Sequence, residues 1–261
     1  MLTSLQNSLV KQIRKLNSTK ERHNQNLLLL EGTHLLEEAC NVNYPLVTLC
    51  YTPKWQEAHL ELWKKASQIC SRMAVVSEEV LSAVATTVHP DGVVATAKRN
   101  HLVREIPFSG LLLALETVQD PGNLGTIIRT ATAADASGLW LSKGSVDLDN
   151  PKVMRATAGQ WFKLPMAVSE DLKDTINLGK KAGMQIVATL PGATQTYWEV
   201  DWRRPSLILL GNEGAGLSEE LAVMADIQVN IPLSQGVESL NVAIASALLL
   251  YEAMRQKKFA Q

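Results

Sequence analysis

The chain has 261 residues, room for two ordinary domains, and 46% of them are hydrophobic, which excludes a disordered chain. Its 25 basic and 26 acidic residues leave a net charge of −1, which excludes a polycation that simply coats nucleic acid. The three cysteines, Cys40, Cys50 and Cys70, form no C-x-x-C pair and have no neighbouring histidine pair. No metal site or disulfide framework is expected of them, and buried thiols in a reducing cytoplasm fit the set.

Residues 1–25 hold Lys11, Arg14, Lys15, Lys20 and Arg22 against one acid, Glu21. Leu2, Leu5, Leu9, Ile13 and Leu16 recur at helical spacing there, and the cations fall mostly off that stripe. Such a helix is either a solvated face or a short basic patch for a polyanion, with Lys11, Arg14, Lys15 and Arg22 as its contacts. Strands and helices then alternate: "LLLLEG", "PLVTLCYT", "MAVVS" and "GVVATAK" as strands, "THLLEEAC", "WQEAHLELWKKASQIC" and "EEVLSAVATT" as helices. The alternation predicts a small α/β domain over residues 1–100. The charged stretch "RNHLVREIPFSG" breaks the pattern, and residues 101–110 are read as a linker.

From residue 111 to 261 the alternation restarts with "LLLALE", "LWLS", "LPMAV", "MQIVATL", "SLILLG" and "IQVNIP" as strands. "GNLGTIIRTATAADASG", "NPKVMRATAGQWF", "EDLKDTINLGKKAG", "SEELAVMA" and a long last segment are the helices. Apolar strands joined by crossover helices predict a mostly parallel sheet with helices on both faces. Ligands bind outside the carboxyl ends of such strands, which singles out the loops after Glu116, Leu210 and Ile231.

In the first loop, Asn123 stands where a helix begins and is a good N-cap. Arg129 follows six residues on, a lone cation in a helix of Thr, Ile, Ala and Gly. In the second, "GNEGAGLSEE", the glycines permit close approach of a ligand and Glu213 can pair with an arginine. Neither the dinucleotide fingerprint nor the phosphate loop is present. In the third, "IPLSQGVESLNVAIASALLLYEAMRQ", Ser239 is placed to cap the long helix, which frees Asn241 to hold another group. Small residues at Ala243, Ala245, Ser246 and Ala247 suit a tight core or a dimer seam.

Together "PGNLGTIIRTA", "LILLGNEGAGLS" and the last stretch resemble the three ordered motifs of the SpoU/TrmH group of RNA ribose 2′-O-methyltransferases. The resemblance covers Leu111 to Gln256, and the first hundred residues resemble the ribosomal-protein-like RNA-binding domain that precedes many members. It implies a trefoil-knotted C-terminal fold, S-adenosylmethionine as methyl donor and a homodimer built on the last helix. The donor would lie against Thr189, Leu190, Gly211, Asn212, Gly214, Ile231 and Leu240. Arg129, Asn123, Glu213, Ser239 and Asn241 would form the catalytic set. An arginine is a poor base, because its pKa exceeds about 12, so Arg129 is assigned to the target phosphate or the developing alkoxide. Glu213 is assigned to orient Arg129, and Asn123 and Asn241 to fix the ribose or a substrate loop. Ribosomal RNA is the first substrate expected and transfer RNA the second. The rival readings are a non-catalytic RNA-binding or ribosome-assembly factor, a base methyltransferase of the same superfamily, and a nucleotide-dependent metabolic enzyme. No apolar run is long enough to span a bilayer and no signal-peptide region opens the chain, so no membrane partner and a cytoplasmic location are expected.

Overall fold

The computed structural model describes residues 1–99 and 105–258. Residues 101–104 of the expected linker lie outside the described residues. Two compact units result, Met1–Leu102 with Asp147–Phe162, and Val103–Val146 with Lys163–Gln261.

In the first unit, α1 (Ser8–Lys15), α2 (Thr19–Gln25), β1 (Leu27–Glu31), α3 (Thr33–Asn41) and β2 (Leu46–Tyr51) follow in order. Then come α4 (Pro53–Ala58), α5 (Leu60–Ile69), β3 (Cys70–Val75), α6 (Glu78–Val84) and β4 (Val93–Lys98). The sheet order is β1-β4-β2-β3, with β4 antiparallel to both neighbours and β2 parallel to β3. The helix expected over Trp55 to Cys70 is two helices. Thr52 caps the first through its hydroxyl, Pro53 opens it, and His59 leaves helical geometry between the two. The opening leucine stripe also divides. Leu9, Val10 and Ile13 are buried by α1, whereas Leu2 lies outside the helix, bridged to Val76. Cys40 and Cys50 are free thiols whose burial pushes them up to about 11 and about 12, so they are inert, while Cys70 is half-buried.

The second unit holds β5 (Leu111–Leu115), α7 (Pro121–Ala133) and β6 (Gly138–Ser142). The next helix, α8 (Pro151–Ala156), belongs to the first unit. The chain returns with β7 (Met166–Ser169), α9 (Leu172–Lys181), β8 (Gln185–Thr189) and β9 (Gln195–Thr196). It ends with β10 (Ser206–Leu210), α10 (Glu219–Ala222), β11 (Ile227–Asn230) and α11 (Val242–Lys258). All seven strands are parallel, in the order β7-β6-β5-β10-β8-β11-β9. Every residue of β5 and β10 is buried, which is why both read as unbroken apolar runs. The chain winds outward from β5 through β6 to β7, then returns to build the other half from β8. The order therefore reverses between β5 and β10, and the carboxyl ends there are where a ligand site is expected.

The segment of α8 is held to the first unit by buried charge. Arg22, expected on an RNA-binding face, is fully buried instead. Its Nε donates to Asp149 at 3.0 Å, one Nη to Asp147 at 3.0 Å and Thr19 at 2.9 Å, and the other to the Leu16 carbonyl at 3.0 Å. Asp149 also pairs with Arg99. Arg22 is thereby removed from the RNA set, because a guanidinium with all its donors turned inward has nothing left for a phosphate. His23 joins Asp147 and Asp149 within 4.8 Å, but two guanidiniums already neutralise those carboxylates, so the cluster reads as an ion-pair network. Arg22→Ala leaves the buried Asp149 and the half-buried Asp147 carboxylates short of a partner and is predicted to cost about 3 kcal/mol in urea denaturation. Lys11→Ala, at an exposed position of α1, should stay within about 0.5 kcal/mol of the parent.

Candidate active site

The site grows from the end of β10. The chain turns back at Gly211, and the Asn212 and Gly216 backbones exchange hydrogen bonds of 2.9 and 3.0 Å. The Asn212 side-chain oxygen accepts from the Gly214 and Ala215 N–H groups at 2.9 and 3.0 Å. Its amide donates to the Thr117 carbonyl at 2.7 Å, which ties the loop to the end of β5. Glu116 adds a second tie by accepting from the Ser218 N–H at 2.7 Å. A Cβ on Gly211 would sit 2.0 Å from the backbone of Gly216 and Leu217, so no side chain fits there.

Glu213 points back to the first loop and not to Arg129. It accepts from the Gln119 N–H at 3.2 Å, the Asp120 N–H at 3.1 Å and the Asn123 amide at 3.1 Å. This corrects the pairing expected from the sequence. Partial burial raises the Glu213 carboxyl, but the hydrogen bonds from Asn123, its own backbone, Asp120 and Gln119 outweigh burial and hold it below its ordinary range. A lowered carboxyl contributes its bonds fully above the ordinary range and loses them as pH falls through the folded value, so only acid opens this tie.

The caps also differ from expectation. Asp120, not Asn123, caps α7, accepting from the Asn123 N–H at 2.9 Å, and Pro121 occupies the first turn. Asn123 is thus inside the helix, and its side chain has no cap to make. Its amide donates to Glu213 and its oxygen accepts from the Asn241 amide at 2.9 Å. Asn241, not Ser239, caps α11, accepting from the Ala243 N–H at 2.9 Å. Glu213, Asn123 and Asn241 therefore form one chain of hydrogen bonds across three loops. Arg129 is exposed and makes no hydrogen bond or ion pair among the described residues.

Beside this chain lies a cavity of about 290 Å³ at the ends of β8, β10 and β11. Thr189, Leu190, Gly211, Asn212, Gly214, Ile231 and Leu240, the seven residues assigned to a donor, all line it, as do Glu213 and Ser239. Asn123, Asn241 and Arg129 are not among its lining residues; Asn123 is bonded to the lining Glu213, and Asn241 stands between the lining Leu240 and Val242. Sequence reasoning missed Gln119 and gave Glu116 no role. The signal for Glu116 is an acid closing a fully buried strand, where only a partner explains it. Lys11, Arg14 and Lys15 are exposed on α1. On α11, Ile244, Leu248 and Tyr251 share one face and are 51%, 36% and 49% exposed, an apolar stripe facing solvent.

Residues 110–251 match the SpoU rRNA Methylase family. The chain belongs to that family. Residues 7–95 match the MRM3-like substrate binding domain, so the SpoU half follows a substrate-binding half. A Synechocystis sp. protein named as an uncharacterized tRNA/rRNA methyltransferase is 46% identical to this chain, over 98% of it and 94% of the relative. The 23S rRNA (guanosine(2553)-2′-O)-methyltransferase RlmP of Bacillus subtilis is 34% identical over 96% of the chain and 97% of its own length. The crystal structure of an AdoMet-bound rRNA methyltransferase from Sinorhizobium meliloti superposes with a TM-score of 0.86 and 35% identity, covering 97% of each chain. The fold is the trefoil-knotted α/β fold of the SpoU/TrmH enzymes, as the motifs imply.

Gly211→Ala is predicted to lower the melting temperature, because backbone must move to admit the methyl group. Gly214→Ala is the control: its Cβ would meet only the Asn212 side-chain oxygen at 3.6 Å, an ordinary contact, and it should melt like the parent.

Proposed function

We propose that this protein transfers a methyl group from S-adenosylmethionine to a ribose 2′-hydroxyl of ribosomal RNA. The observation that carries the reading is the gathering of all seven expected donor-site residues around one cavity, next to the Glu213–Asn123–Asn241 chain. The cavity suits an adenosyl group. Leu190, Leu217, Ile231 and Leu240 give it apolar walls, the 211–216 backbone gives it polar edges, and the Thr189 hydroxyl is buried without a partner among the described residues. When bound, S-adenosylmethionine supplies an electrophilic methyl on a sulfonium. The residues of the chain do the rest by position and charge. The Gly211 turn and the Ile231–Leu240 segment hold the donor and exclude water. Glu213, Asn123 and Asn241 are positioning residues that lock three loops together: the Asn241 amide donates to Asn123 and the Asn123 amide to the Glu213 carboxylate. The substrate hydroxyl must lose a proton, and no His or Lys lies on the cavity wall among the described residues. Arg129, exposed and unpaired, presents its planar fork to the RNA phosphate or to the alkoxide as it develops.

The rRNA reading rests on relatives named as 23S rRNA 2′-O-methyltransferases. A cytoplasmic location is in keeping with that substrate. In the test, the protein is incubated with labelled S-adenosylmethionine and total RNA from cells lacking its gene, and the RNA is hydrolysed with alkali. A 2′-O-methyl blocks cleavage at its own linkage, so label is expected in an alkali-resistant dinucleotide from rRNA. Label in a mononucleotide would mean base methylation, and donor binding without transfer would mean a binding factor. Arg129→Lys keeps the charge but loses the fork and should lower kcat about 100-fold with donor affinity unchanged; near-normal turnover would remove the assigned role.

The exposed Ile244–Leu248–Tyr251 face is the seam of a homodimer. Leu248→Glu is predicted to yield a monomer in sedimentation while the parent sediments as a dimer; a parent that is already monomeric contradicts this.

A further inference from the structure

The first unit carries a second cavity, of about 220 Å³, between the end of β1, the 85–94 segment and α8. Its floor is an ion pair. The Glu31 side chain, 3% exposed, pairs with Arg155 at 2.9 Å. The Thr86 hydroxyl donates to Glu31 at 2.7 Å and accepts from the same Arg155 nitrogen at 2.6 Å. The Nε and second Nη of Arg155 have no partner among the described residues, although the side chain is 27% exposed. Asp91 lines the cavity, with one carboxylate oxygen fixed by the Thr33 N–H at 2.7 Å and the other without a partner among the described residues. Pro90, Val93 and Val94 supply apolar wall.

We infer that this cavity takes a single guanine base splayed out of the RNA, a proposal that rests on RNA being the substrate. A free Nε–Nη edge of arginine is the fork that meets the O6 and N7 acceptors of guanine. A free carboxylate oxygen meets its N1–H and N2–H donors. No other base sets such a fork of acceptors beside two donor nitrogens: cytosine has O2 and N3 but donates from N4 alone, and adenine has no second acceptor next to N7. Charge argues against a phosphate: Glu31 and Asp91 set two carboxylates against the one guanidinium, so an anion would be repelled and a neutral edge with both donors and acceptors would not. Unstacked bases are also what proteins read in RNA loops.

The test uses the full chain and the oligoribonucleotides UUGUU and UUAUU, with binding followed by fluorescence anisotropy at fixed salt. The parent should prefer the guanosine oligomer by about fivefold or more. Asp91→Asn retains an oxygen for Thr33 but replaces an acceptor by a donor, and Arg155→Lys retains the charge beside Glu31 but loses the fork. Either folded variant should bring the two oligomers to within about twofold of each other. Equal affinities in the parent, or a preference that survives in a folded variant, would overturn the proposal. Should neither variant fold, 6-thioguanosine at the central position decides in the parent: ultraviolet cross-links at residues 85–94 or Arg155 support the site, and cross-links elsewhere refute it. Label in an alkali-resistant dinucleotide without guanine preference would leave the methyltransferase standing and remove the pocket, and the converse result would do the reverse.

Discussion

The loops around the cavity are joined through one carboxylate. Glu213 collects the Gln119 and Asp120 N–H groups and the Asn123 amide, and Asn123 passes the connection to Asn241 at the mouth of α11. Three stretches that lie 90 and 118 residues apart in sequence are thereby fixed against one another. Each bond alone is modest, since the group is largely exposed, and the set holds because the donors are presented by elements already rigid. The two N–H groups belong to the loop that leads into α7, Asn123 sits in its first turns, and Asn241 is itself held by capping α11.

This tie explains why polar residues stand at the start of the most apolar helix. Asn241 caps with its oxygen and reaches Asn123 with its nitrogen, so one amide serves both ends of its chemistry. The cavity beside it is shaped by a second constraint, the contact of Gly211 with the Gly216–Leu217 backbone, which closes the loop on itself. Hydrogen bonding places the loops and steric exclusion sets the width of the space they enclose. Arg129 stands outside both devices, exposed on α7, as a group must be if it is to meet a macromolecule.

Much of this is legible in the amino-acid order. Buried parallel strands such as β5 and β10 announce themselves as apolar runs, and the three motif stretches name the residues around the cavity. What the sequence hides is which of two neighbouring polar residues takes which task. Asp120 and Asn123 are both N-cap types, as are Ser239 and Asn241, and only the start of the helix decides between them. Pairing over distance is hidden too. Arg22 reads as part of a basic helix because its carboxylates, Asp147 and Asp149, are 125 and 127 residues away. Their attraction also carries α8 into the first unit, a departure from chain order that no local pattern contains.

The claim that the Glu213 carboxylate holds three loops together is tested most directly by amide hydrogen exchange in Glu213→Ala. Faster exchange is predicted at Gln119 and Asp120, which lose their acceptor, and at Ala243, whose cap is steadied through Asn123 and Asn241. The amides of β5 and β10 should keep the parent's protection. Unchanged exchange at Ala243 while Gln119 and Asp120 open would show that the tie ends at the first loop, and unchanged exchange at all three would contradict the account.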